Sequence, residues 1–414
     1  MAILAIFAGL FFVYSLLSHR LERTVVTGPM IFTTAGILMY IAFPDPAFKP
    51  LELKPVLRLM EITLALVLFT DGTRIRVTEL VGMASLPGRL LVIAMPLIMV
   101  AGMITAALLF TELSIWEAAI LGVILAPTDA GLGHAVMSSK RVPLRIRQAL
   151  NVEAGLNDGL AIPFLMLFIA LGRVDQPLTD RSWIVYLLQQ IGLGVFFGIL
   201  LGWVGGWLMG KASKNKWMSA SMQQLALLSY AVLSWVMVEL SPGNGFIATF
   251  LVGLLIKNGY EAAGEQMVEF SEVWGRLFNL FVFAIFGVMV SIDMGNISAL
   301  YLLYALMSLT LIRMIPVAVS LIGARLHSST VLFMGWFGPR GLASIVLGLI
   351  LLKEEADLPG EGLISLAVIA TVLISVFIHG LSTAPAIDVY SSQFEKLPPQ
   401  APERAGATSI PFRQ

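Results

Sequence analysis

Leu125-Ala126-Pro127-Thr128-Asp129-Ala130-Gly131-Leu132-Gly133 lies in the middle of an apolar run, residues 116–137, otherwise long enough to cross a bilayer as one helix. Pro127 removes an amide donor and frees the carbonyl of Val123, and the two glycines weaken the following turn. A helix interrupted at mid-bilayer leaves open carbonyls and amides, which is tolerated only where they line a cavity or touch protein. Here the interruption carries a carboxylate. The same construction returns in the run 331–352 as Gly335-Trp336-Phe337-Gly338-Pro339-Arg340-Gly341. Pro339 frees the carbonyl of Gly335, and the adjacent charge is now positive.

The surrounding sequence sets the fold class. The chain has 414 residues, 58% hydrophobic and 13% charged, about half the charge of a soluble domain. Further apolar runs lie at 2–18, 25–43, 56–71, 87–110, 143–171, 183–209, 218–240, 245–256, 273–292, 300–322 and 362–381. They are too long and continuous for the alternating strands of a barrel, and in hydrocarbon only helices or closed barrels satisfy the backbone. The expectation is an all-α integral membrane protein with about thirteen transmembrane helices. Zero formal net charge offers no basic surface to nucleic acid, and the absence of cysteine removes disulfides, thiolate metal sites and cysteine nucleophiles. The first run has no basic leader and ends in Ser18-His19-Arg20 without a small-residue cleavage site, so it reads as a retained helix, not a signal peptide.

Loop charges orient the spans. One side gathers Arg20, Arg23, Arg74, Arg76, Arg89, Lys140, Arg141, Arg145, Arg147, Lys211, Lys214, Lys216, Lys257, Arg276, Arg325, Lys396, Arg404 and Arg413; the other has Lys49, Lys54, Arg58, Arg173, Arg181 and Lys353. The positive-inside rule makes the first side cytoplasmic, with the N-terminus outside and the C-terminus inside. An odd number of spans is required for that bias. Two broken helices seven spans apart suggest an inverted repeat within a transmembrane domain 1–385. Residues 1–171 form the first six-helix unit, 183–209 the linker and 218–385 the second unit. Residues 386–414, with Leu397-Pro398-Pro399-Gln400, read as a short disordered cytoplasmic tail. The linker run carries Gly194, Gly198, Gly202, Gly206 and Gly210 at every fourth position, a pattern for close packing inside one protomer in preference to a dimer seam.

Arg313 and Arg340 fall inside spans, as do Asp129, Glu153 and Asp158. An ionisable group at mid-membrane costs about 3 kcal/mol or more unless paired or hydrated. Five such charges beside two broken helices point to an ion path over a set of purely structural ion pairs. Where two broken helices cross, like half-helix ends meet; an acid neutralises the positive pair and a base the negative pair, and Asp129 and Arg340 are the candidates. The sixth run reads Asn151-Val152-Glu153-Ala154-Gly155-Leu156-Asn157-Asp158-Gly159-Leu160-Ala161-Ile162-Pro163. Glu153 and Asn157 share a face, while Asp158 is turned about 100° further round. One face can then bind Arg313 and the other meet the cavity beside Asp129. Two carboxylates with one arginine leave Asp158 without an obvious partner. Desolvated, it can hold a proton or a hard cation but not both. Asp71, Glu61 and Glu239 sit near span ends, where they can snorkel, His134 reads as packed or interfacial, and the acidic stretch 261–272 as a solvated loop.

At these residues the chain resembles the sodium/proton antiporters of the NhaP type, in the Asn-Asp branch of the monovalent cation/proton antiporter superfamily. The resemblance rests on Pro127-Thr128-Asp129, Glu153…Asn157-Asp158-Gly159, Ile312-Arg313-Met314-Ile315-Pro316, Arg340-Gly341 and His379-Gly380-Leu381-Ser382. It implies thirteen helices divided into a scaffold part and a six-helix core part, assembled as a homodimer in a bacterial inner (plasma) membrane. It implies that Asp158 carries the ion, that Asp129 and Thr128 help ligate Na+, and that Glu153 pairs with Arg313. Asn157, where electrogenic relatives have Asp, implies electroneutral exchange of Na+ (or Li+ or K+) for H+, with no resident cofactor. The chain departs from the pattern at Ala154, often a serine that supplies a ligand, and at Ala130, often proline.

A K+-selective exchanger or channel-like relative of the same fold is the second reading, since selectivity depends on cavity size and oxygen count. A non-transporting sensor would be expected to lose the buried charges, and all five are present. An intramembrane enzyme would need a nucleophile–base or metal constellation, and neither His-Glu-x-x-His nor Gly-x-Ser-x-Gly occurs.

Overall fold

The computed structural model describes residues 2–21, 24–42, 53–74, 85–172, 182–260, 265–353, 358–398 and 400–404. Helix stands at every apolar run read from the sequence, and no strand occurs among the described residues. In chain order the helices are α1 (Ala2–Leu21), α2 (Gly28–Ala42), α3 (Leu53–Arg74), α4 (Ser85–Leu109), α5 (Ile115–Ile124), α6 (Ala130–Ser138), α7 (Leu144–Gly172) and α8 (Ser182–Lys214). They continue with α9 (Ala220–Glu239), α10 (Gly245–Gly259), α11 (Glu265–Asp293), α12 (Ala299–Ser320, interrupted at Thr310), α13 (Ser328–Trp336), α14 (Leu342–Lys353) and α15 (Glu361–Glu395). By length and composition, α4, α7, α8, α9, α11, α12 and α15 are each long and apolar enough to cross a membrane.

The runs 116–137 and 331–352 are each split in two. Ser114 and Glu117 start α5 with a reciprocal capping box, and the helix stops before Pro127. Asp129 then caps α6. α13 ends at Trp336, ahead of Gly338-Pro339, and α14 begins at Leu342.

Close helix contacts come in matching pairs. α2 lies along α11 and α3 along α10, each through glycine. A Cβ on Gly36 would stand 3.0 Å from the Cα of Gly287, and one on Gly72 would stand 3.3 Å from the carbonyl carbon of Gly253. Exchanging α2 with α10 and α3 with α11 maps one seam onto the other. In the same sense Gly102 on α4 meets Gly122 on α5, and Met314 on α12 meets Gly335 on α13. The glycine stripe of α8 is used within the chain. Gly194, Gly198, Gly202, Gly206 and Gly210 all rest on residues 244–260, in and beside α10.

The structure differs from the sequence reading after Pro385. α15 runs on to Glu395, and the following residues turn back, ending in a short 3-10 turn, Pro402–Arg404, in which Glu403 is buried. The polar, proline-rich composition read as disorder, but this segment finds unfilled hydrogen-bonding groups on the bundle. Residues 405–414 lie outside the described residues, as do loop charges Arg23, Lys49, Arg76, Arg173, Arg181 and Arg413 and residues 261–264 of the acidic stretch.

Candidate ion-binding site

The two breaks touch directly. The N–H of Asp129 donates to the carbonyl of Pro339 at 2.8 Å, so the interruptions of the two helices are joined through their backbones. Asp129 Oδ1 accepts the N–H groups of Gly131 (2.6 Å) and Leu132 (3.2 Å), while Oδ2 accepts that of Leu342 (2.7 Å). One carboxylate therefore caps the N-termini of both α6 and α14, the two positive half-helix ends. Gly341 makes this possible, since a Cβ there would stand 2.7 Å from the Asp129 carboxyl carbon. Arg340 serves the opposite pair. Its Nη1 donates to the carbonyls of Gly338 (3.0 Å) and Pro127 (3.3 Å), which follow the C-terminal ends of α13 and α5. Its own N–H donates to Ser375 Oγ on α15 at 2.6 Å.

α7 passes beside this crossing and presents three polar groups. Glu153 forms a bidentate pair with Arg313 of α12; Arg313 Nη1 meets Oε1 and Nη2 meets Oε2 at 3.0 Å. The side chains are 3% and 1% exposed, so solvent screens little of the interaction. The guanidinium runs beneath the second break, where a Cβ on Gly338 would strike it. Asn157 Nδ2 donates to Thr128 Oγ1 at 2.8 Å, tying α7 to the first break. Asp158 is 7% exposed. Its Oδ1 and the Oδ1 of Asn157 accept no hydrogen bond from the described residues. Buried acceptors without donors suit a hard cation or a proton. Asp129, by contrast, already receives three amides, leaving about one lone-pair site open.

The structure thus brings Thr128, Asp129, Asn157, Asp158 and Arg340 together at the crossing and sets Glu153 and Arg313 beside it. Asp71 of α3, placed near a span end where it can snorkel by the sequence reading, is instead buried against α7. Gly155 permits the approach, a Cβ there standing 3.4 Å from the Cβ of Asp71. The available signal was a carboxylate in an apolar run, obscured by its nearness to the run's end. Glu61 is also buried and pairs with Arg58 at 2.9 Å, one turn away. Glu239 accepts the N–H of Gly245 at the start of α10 (3.1 Å). Asn279 of α11 was not singled out; its amide nitrogen would stand 2.7 Å from a Cβ on Gly131. His134 lies on the exposed side of α6. Ala154 is buried, and among the described residues no cluster of three or more His, Asp or Glu forms a metal cage.

A model of the transmembrane sodium/hydrogen exchanger family matches residues 2–389. The K+/H+ antiporter NhaP2 of Shewanella sp. (strain MR-4) is 27% identical over 286 residues, covering 68% of this chain and 49% of that protein. The Na+/H+ antiporter of Schizosaccharomyces pombe is 23% identical over 325 residues, covering 71% of this chain and 69% of that protein. The chain spans about half the length of the first of these relatives. Among solved structures, the sodium proton antiporter MjNhaP1 of Methanocaldococcus jannaschii superposes with a TM-score of 0.76 at 19% identity, over 94% of this chain and all of that one. The all-helical fold is shared.

Proposed function

The chain belongs to the sodium/hydrogen exchanger family, and from that premise we propose that it exchanges Na+ for H+ across a membrane, with Asp158 holding each ion in turn. The observation that carries this is the pair of open acceptors, Oδ1 of Asp158 and Oδ1 of Asn157, buried beside two interrupted helices. A carboxylate in that position binds a proton or a cation, and the charged, empty form resists crossing because its desolvation is costly. Exchange follows from that exclusion. Thr128, and the remaining lone pair of Asp129, complete the ion's surroundings in this reading. Asp129 and Arg340 hold the half-helix ends, and Glu153–Arg313 fixes α7 against α12. Asn157 in place of a second carboxylate supports a neutral one-for-one cycle.

Alternating access belongs to the same proposal. The matched seams, α2–α11 with α3–α10, support an inverted repeat of two six-helix units, residues 1–171 and 218–385, about the linker helix. One unit pair forms a frame, and the crossing moves against it. A bacterial inner membrane, an outside N-terminus and a homodimer complete the assignment, carried by loop charge and by resemblance. K+ is the second substrate considered, because similar proteins bear the name K+/H+ antiporter and because Ala154 withholds a hydroxyl ligand.

The test uses purified protein in liposomes loaded with a pH dye, given Na+, Li+ or K+ outside, beside an Asp158→Asn control. Cation-driven proton movement that the control abolishes is expected, and the order of ions ranks selectivity. Robust exchange by folded Asp158→Asn protein would remove Asp158 from its role. No movement with any ion, from folded wild-type protein, would refute the antiporter reading.

A further inference from the structure

α5 and α13 hold matching places, each the first half of an interrupted helix, with Ser114 and His327 as their N-caps. α5 satisfies its leading amides from within. Glu117 Oε2 accepts the N–H of Ser114 at 2.7 Å, and Oε1 accepts the N–H of Gly360, the N-cap of α15, at 2.6 Å. One acid thereby ties the start of α5 to the start of α15. At the corresponding third position α13 has Thr330, which bears no charge.

The missing carboxylate arrives from the segment after α15. Glu403 is 2% exposed, and its Oε1 accepts the N–H of His327 at 2.6 Å, the same donor that Glu117 receives from Ser114. It also accepts Thr330 Oγ1 at 3.1 Å. The adjacent carbonyl of Pro402 accepts Arg145 Nη1, at the start of α7, at 2.6 Å. The α13 cap is thus supplied by a remote part of the chain, and the same segment reaches the start of α7 through the Pro402 carbonyl and Arg145. The segment is anchored for this task. Arg404 lies 4.6 Å over the Phe394 ring and donates to the carbonyls of Phe394 (3.2 Å) and Leu397 (3.3 Å). Tyr390 stacks on Phe333 of α13 and shares a hydrogen bond with Thr330 at 3.2 Å.

We propose that Glu403 is a positioning residue for the crossing: it holds the start of α13 to the 402–404 segment, whose Pro402 carbonyl in turn takes Arg145 at the start of α7. α13 is nine residues long, about 13 Å of rigid helix, and its far end is the break that holds Arg340 and lies against Arg313. α7 carries Glu153, Asn157 and Asp158. Fixing their starts together keeps the second break in register with the ion-holding residues while both move. The consequence for transport rests on the antiporter reading; the mechanical tie does not.

The experiment uses the full chain, with Glu403→Ala, Glu403→Gln and the double variant Glu403→Ala/Thr330→Glu, which moves the acid to the position Glu117 occupies in α5. Amide hydrogen exchange by mass spectrometry is read at 327–331 and 337–341, beside maximal rate and KM for Na+ in liposomes. In folded Glu403→Ala, exchange should rise about tenfold at both stretches. Maximal rate should fall about fivefold with KM changed less than about twofold. Glu403→Gln should fall between, and the double variant, whose new acid caps α13 from within without reaching the 402–404 segment, should regain protection at 327–331 only. Wild-type exchange at 337–341 with a wild-type maximal rate in folded Glu403→Ala would overturn the proposal. So would a rise confined to 327–331, or a folded double variant that regains both wild-type maximal rate and wild-type exchange at 337–341, since a local cap alone would then suffice. If wild-type protein itself moves no protons, the antiporter reading fails, and exchange at 337–341 still decides the tie.

Discussion

Removing one member of the Glu153–Arg313 pair should destabilise the protein more than removing both. The two side chains are nearly inaccessible and joined at both ends of the guanidinium fork, so the discount that applies to surface pairs does not enter. Two charge-assisted hydrogen bonds contribute roughly 1.5–3 kcal/mol each, and stranding a buried charge costs roughly 3–5 kcal/mol. Arg313→Met and Glu153→Leu should each lower stability by about that amount, an apparent Tm decrease of roughly 3–6 °C in detergent for a chain of this length. Arg313 already leaves its Nε without a partner, so the intact pair is not fully satisfied. The double variant Glu153→Leu/Arg313→Met should therefore recover at least about half of the loss. Thermal unfolding of the four proteins, followed by intrinsic fluorescence and by monodispersity after heating, provides the cycle. Single variants within about 1 °C of wild type, or a double variant no better than the sum of the singles, would refute the reasoning. Partial transport by the double variant is also expected; complete loss with wild-type stability would place the pair inside the transport step itself.

Three other changes address neighbouring groups. Gly341→Ala places a methyl against the Asp129 carboxylate and should break the cap on Leu342, lowering stability by about 1–3 kcal/mol and exchange with it; wild-type Tm and rate would contradict the double-cap geometry. Ala154→Ser restores a hydroxyl on the turn that precedes Asn157 and should lower the apparent KM for Na+ by about threefold to tenfold, read from the same liposome assay; an unchanged KM would mean that position 154 does not face the ion. Asn157→Asp adds a titrating carboxylate beside Asp158 and should convert the neutral cycle proposed above into one that generates transient current on a solid-supported membrane; exchange that stays silent electrically would detach stoichiometry from this residue.

The two breaks are legible because proline and glycine act locally. Pro127 and Pro339, with glycines close by, remove amides just past the ends of α5 and α13, whereas Pro163, Pro316 and Pro385 stay inside continuous helices. The charges at the crossing are also legible as types, since Asp129 and Arg340 stand beside those breaks in the chain. Their partners are not. That Asp129 caps α14 through Leu342 depends on two segments more than 200 residues apart meeting at hydrogen-bond distance, and no local pattern encodes it. The α8 glycines announce close packing, yet only the assembled bundle shows that α10 receives them. Asp71 is a clearer lesson. A helix end in sequence is not an end in depth, and α3 carries that carboxylate to the side of α7. For Glu403 the signal was a deficiency elsewhere: Ser114 has its acid three residues on, whereas His327 is followed by Thr330.

The glycine seams also bear on the order in which the protein is made. Gly36 of α2 faces Gly287 of α11, and Gly72 of α3 faces Gly253 of α10, so each early helix waits for a partner about 180–250 residues downstream. At roughly 5–20 residues per second of synthesis, that delay is on the order of ten seconds to a minute. During it, α2 and α3 offer bare backbone grooves to whatever helix arrives first, and a glycine in a helix interior already costs about 1 kcal/mol against alanine. Helices α4 to α9 must emerge without filling those grooves. Their own small-residue stripes, such as that on α8, are the nearest competitors, so the register of glycines along the chain governs which helices are paired wrongly and for how long.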